Sequence, residues 1–60
     1  MADLKTDAER AGFLRELDAS PVNVTDWEAD FIGSNMDKTT FSLKQREVID
    51  KLNTKYEGDL

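Results

Sequence analysis

For acid–base or metal chemistry this sixty-residue chain offers carboxylates, lysines and Tyr56, and it contains neither histidine nor cysteine. A catalytic carboxylate pair needs a pocket that excludes water and drives the two pKa values apart. A chain this short has little interior in which to build one. The sequence has no glycine-rich phosphate loop and no nucleophile elbow. Without thiolates there is no zinc site of the usual kind. Asp30 to Asp37 does not reproduce the alternating carboxylates, central glycine and closing glutamate of a calcium loop. The expectation is a protein that is not an enzyme and carries no metal and no cofactor.

Binding chemistry is better represented. Trp27 and Phe31 stand four residues apart and share a face if their segment is helical. Such a pair is ordinarily core, but a small domain can leave it partly uncovered, and exposed aromatics make protein-binding hot spots. Lys44, Lys51 and Lys55 fall on one side of a second segment. They could contact phosphates, or simply form a solvated face. Glu47 and Asp50 interrupt that positive field, and no aromatic residues interleave for base stacking. Asp26, Asp30 and Asp37 form an acidic strip at helical spacing. It could meet a basic partner, though a solvated helix face is the simpler reading.

These residues must be positioned by helices, because three helix-start signals divide the chain. Thr6-Asp7-Ala8-Glu9, Thr25-Asp26-Trp27-Glu28 and Ser42-Leu43-Lys44-Gln45 each match the capping box, in which hydroxyl and carboxyl or amide satisfy two free backbone N–H groups. The first opens a helix over roughly 7–17, with Ala8, Ala11, Leu14 and Leu17 recurring at three-residue steps and Phe13 beside them. Its apolar face is thin, and Gly12 costs about 1 kcal/mol relative to alanine, so this helix is expected to depend on docking. The second spans roughly 26–35, with Gly33 or Asn35 as a left-handed stop. The third spans roughly 43–57 through Val48, Ile49, Leu52 and Tyr56, with Gly58 to end it. Glu47 and Lys51 are spaced for a favourable pair. Stretches 18–25, containing Pro21, and 36–42 connect the helices.

The fold expected is therefore all-α, one small three-helix domain, with helices two and three as the better-packed pair. Its core is expected to be Leu14, Leu17, Val24, Trp27, Phe31, Ile32, Phe41, Val48, Ile49, Leu52 and Tyr56. A domain of this length buries only about 60% of its unfolded surface. Net charge is −5 and unevenly spread. Residues 1–37 carry three basic against nine acidic residues, and residues 38–60 carry five against four. An acidic whole opposes long-range attraction to nucleic acid. No apolar run approaches the roughly 18–20 residues of a membrane span. The start, Met1-Ala2-Asp3-Leu4-Lys5, does not have the form of a secretory signal. A cytoplasmic location is expected.

Residues 24–52 resemble a short helical module of small phage and mobile-element proteins. In it a Trp-Glu-x-x-Phe helix precedes a Leu/Phe-Ser-x-Lys-Gln helix start. The matching residues are Trp27, Glu28, Phe31 and Ile32, then Phe41, Ser42, Lys44, Gln45, Val48 and Leu52. The resemblance implies an accessory role near DNA-processing machinery and carries no catalytic residue across. The function expected is thus a non-catalytic binding or regulatory protein that docks on a larger protein. Its contact residues would be Trp27, Phe31, Lys44 and Gln45, with Lys51 and Lys55 as further candidates. The alternatives are a nucleic-acid-binding module using Lys44, Lys51 and Lys55, and a self-associating structural domain.

Overall fold

The computed structural model describes residues 4–60. The reading of the N-terminal start as no secretory signal thus falls partly on residues 1–3, outside those described. Three helices follow one another: α1 Asp7–Ala19, α2 Asp26–Asn35 and α3 Leu43–Tyr56, with a 3₁₀ turn Glu57–Asp59 closing the chain. Among the described residues there is no strand, and no helix is long and apolar enough to cross a membrane.

All three capping boxes form in full. Thr6, Thr25 and Ser42 each accept from the backbone N–H of the residue three on, and Glu9, Glu28 and Gln45 each reach back to the cap backbone. Asp7 and Glu9, and then Asp26 and Glu28, place negative charge at the positive ends of α1 and α2. The helix ends differ from expectation. No described residue has positive φ, so neither Gly33, Asn35 nor Gly58 acts as a left-handed stop. Instead α2 runs into Met36, whose carbonyl accepts from the Arg15 guanidinium at 3.0 Å. That cation from α1 serves a helix whose own last turn has none.

The packing order also differs. α1 is the central element, and both other helices pack on it. No Cα atom of α2 lies within 8 Å of one in α3, so the expected close pairing of the second and third helices is not what the chain adopts. The thin, alanine-containing face of α1 explains its position. Ala11 is buried and Leu14 and Leu17 are almost completely so, and small residues let two neighbours approach one helix closely. Phe13, Ile32, Phe41, Ile49, Leu52 and Tyr56 complete the core. Val24, Phe31 and Val48 are only partly buried against it.

Trp27, expected at the centre of the core, is 62% exposed. The reason is rotational. Successive helical residues are about 100° apart, and α2 turns its Glu28–Ile32–Asn35 stripe inward. The Trp27–Phe31 stripe is one residue round from it. Two of the three inward residues are polar, which is why the hydrophobic pattern pointed to the wrong face.

A polar junction fixes α1 against the α2–α3 connection. The Asp7 carboxylate accepts from Arg10 and Arg46 side chains and from the backbone N–H of Phe41, each at 3.1 Å. These donors hold Asp7 below its ordinary pKa, Arg46 first among them. Glu47 and Lys51, spaced for a pair, do not form one with each other.

Gly33 lies inside α2, exposed, and a Cβ built on it meets nothing within 4 Å. Gly33→Ala should therefore stabilise the domain by about 1 kcal/mol, measurable as a raised urea midpoint. Leu14→Ala should destabilise it by about 2–5 kcal/mol, most of what so small a domain has, and a near-native urea midpoint for this variant would show that α1 is not the centre.

Candidate functional site

Because the backbones of α2 and α3 come close to α1 but not to each other, a groove of ≈370 Å³ remains between them. Its walls are Trp27 and Phe31 from α2, and Ser42, Lys44, Gln45 and Val48 from the start of α3. The indole of Trp27 stacks on the Phe31 ring, with centroids 5.5 Å apart and planes inclined by 13°. One indole face is thus taken up within the chain while most of the side chain stays in water. An exposed tryptophan of this kind keeps a large apolar surface in solvent that a partner could remove from it.

Four of the residues singled out from sequence therefore meet at one place: Trp27, Phe31, Lys44 and Gln45. Gln45 has local work as well. It accepts from the Ser42 N–H at 2.9 Å and donates to the Asn35 side chain at 3.3 Å. Asn35 in turn donates to the Phe31 carbonyl at 2.8 Å. This chain fixes the Phe31 end of α2 relative to the α3 N-terminus. Lys44 is exposed and forms no ion pair among the described residues. Lys51 is exposed but does not line the groove. Lys55 is held by Glu28 at 2.9 Å.

Glu28 is the residue that the sequence underestimated. Its cap role was legible, but the residue is only 7% exposed and its side chain joins α2 to the far end of α3. One carboxylate oxygen accepts from the Thr25 N–H at 2.8 Å and from the Tyr56 hydroxyl at 2.6 Å, and the other accepts from the Lys55 ammonium. Tyr56, then the Thr25 amide and Lys55, hold its pKa down at about 2, against 4.5 for an ordinary glutamate. The same contact raises the pKa values of Tyr56 and Lys55. No local signal could have revealed a pairing across 28 residues, since Glu28 already fitted the capping box by itself.

A second depression, ≈420 Å³, lies beside α1 where Gly12 and Phe13 meet Asn53 and Leu60. It holds no exposed aromatic ring and none of the candidate contact residues Trp27, Phe31, Lys44, Gln45, Lys51 and Lys55. Among the described residues no three carboxylates cluster as a metal site would require. No protein-family model, curated protein or solved structure matches the chain significantly.

The acid behaviour of the domain follows from Glu28. Because its folded pKa is below its unfolded one, its contribution is present in full above pH 4.5 and is lost as the pH falls toward about 2. Asp7 and Glu9, also lowered, act in the same direction. Tyr56→Phe removes the largest cause of the Glu28 shift. It should cost about 1–3 kcal/mol at neutral pH and move the acid-unfolding midpoint upward. Circular dichroism followed from pH 7 to pH 2 reads both, and an unchanged acid midpoint would remove Tyr56 from this account.

Proposed function

We propose that this chain is a non-catalytic binding or regulatory protein that docks on a larger protein through the groove between α2 and α3. The observation that carries the reading is Trp27, 62% exposed beside an open apolar groove in a domain whose other large side chains are mostly packed. The cost of leaving such surface in water is recovered when a partner covers it. Lys44 at the rim supplies a charge that favours one orientation of the partner over others. Occlusion or recruitment is the mechanism suited to a domain with a small open groove and a core fixed by three short helices.

The resemblance of residues 24–52 to helical modules of small phage and mobile-element proteins supports the rest of the proposal. On that basis the protein is phage or mobile-element encoded and has its partner among DNA-processing machinery; a place in the cytoplasm suits such a partner. Direct nucleic-acid binding has less support. Glu28 holds Lys55, Asp7 holds Arg46, and the chain as a whole is acidic.

Trp27→Ala separates docking from folding. Its fold should survive, with a loss of no more than about 1 kcal/mol for the aromatic pair. Immobilised wild-type protein should retain from a lysate of the native host a protein that the W27A variant does not. Adding that purified protein to the wild type should shift the Trp27 fluorescence to the blue. Equal retention by the two forms would sink the groove as the docking site.

A further inference from the structure

The charges around the groove are sorted by side. On α2, Asp26 and Asp30 lie four residues apart on the exposed flank next to the Trp27–Phe31 stripe. On α3, Lys44 lines the groove, and Lys51, seven residues on, continues the same face past Val48. None of these four charges is spent on an ion pair among the described residues. The groove thus has an acidic shoulder along α2 and, along α3, a shoulder of two lysines that the exposed Glu47 between them only partly offsets, with apolar side chains between the shoulders.

The backbone arrangement indicates what shape would fill it. α2 and α3 flank α1 with no close backbone approach to each other and only polar side-chain bridges between them, which leaves the side of a bundle where a further helix would lie. Among the described residues there is no sheet edge to which an extended strand could add. Resting on the docking reading above, we propose that the groove seats an amphipathic helix of the partner protein. The apolar stripe of that helix packs on Trp27, Phe31 and Val48, its basic flank faces Asp26 and Asp30, and its acidic flank faces Lys44 and Lys51. The sorted charges set the rotation of the incoming helix and reject one with its flanks reversed. A second copy of this chain is a poorer occupant, since each copy brings a net charge of −5.

A displayed library of helix-biased eighteen-residue peptides, selected on the wild-type protein after depletion on the W27A variant, tests this. Selected peptides should carry apolar residues at helical spacing, with lysine or arginine along one flank and aspartate or glutamate along the other. The double variant D26K/D30K should bind them at least about tenfold more weakly, and peptides with the basic flank made acidic should regain the loss. Selected peptides without helical period, or indifferent to D26K/D30K, would overturn the helix and its charge pattern while leaving Trp27-dependent docking in place. Failure to select any Trp27-dependent peptide would overturn both. Sedimentation of the wild type and W27A at several concentrations completes the test, since a dimer lost in W27A would make a second copy the occupant and overturn the proposal.

Discussion

The Glu28 carboxylate is the contact on which the spacing of α2 and α3 depends. The two helices share no close backbone approach, so side chains must bridge them, and Glu28 does so while also capping its own helix. A buried carboxylate is costly unless its oxygens are occupied. Here a backbone amide, a phenol and an ammonium occupy them. The Tyr56 end of the bridge lies in the core, while the Lys55 end remains half in water. The contribution of the lysine is therefore the smaller, as expected for an ion pair screened by solvent. At the opposite end of α2, Asn35 and Gln45 form a second, uncharged bridge. The groove lies between helices fixed at both ends by polar bonds and not closed by apolar packing.

α1 stabilises the domain in a different way. It buries alanine, leucine and phenylalanine against both neighbours, and its first carboxylate, Asp7, gathers Arg46, Arg10 and the Phe41 amide. That junction places Phe41 and the N-terminus of α3 on the same end of the molecule as the start of α1. Residues remote in sequence are thus tied at one carboxylate near each end of α3: Asp7 near its beginning and Glu28 near its end. For a chain with so little apolar surface to bury, such directional contacts choose one arrangement among several that hydrophobic burial alone would tolerate.

The same economy accounts for Trp27. A core assembled around α1 has room for Leu14, Leu17, Ile32, Ile49 and Leu52, and the inward stripe of α2 is taken by Ile32 and two bridging polar residues. The indole is left on the neighbouring stripe, stacked on Phe31 and otherwise in solvent. This is the structural circumstance behind the docking proposal: a large apolar side chain set beside a gap that polar bridges keep open.

The sequence by itself determined the helices. Thr6, Thr25 and Ser42, each with its partner three residues on, were legible because a capping box is a contact within one turn, and all three form. Helix α2 begins and ends as read, α1 extends two residues further than expected, and α3 gives way to a 3₁₀ turn at Glu57. Most of the core was legible too, because leucine and isoleucine at helical spacing have few alternatives to burial. The meeting of Trp27, Phe31, Lys44 and Gln45 was anticipated as a combination, but not the groove that joins them. Only the tertiary structure decided which helix is central, which stripe of α2 faces inward, and that Glu28 binds Tyr56 and Lys55. Those outcomes rest on contacts between residues of different helices, 27 and 28 positions apart for Glu28 with Lys55 and Tyr56, and on polar side chains whose burial is tolerated only once such partners are in place. Local pattern records neither, because the free energy of a buried polar group is set by its neighbours in space.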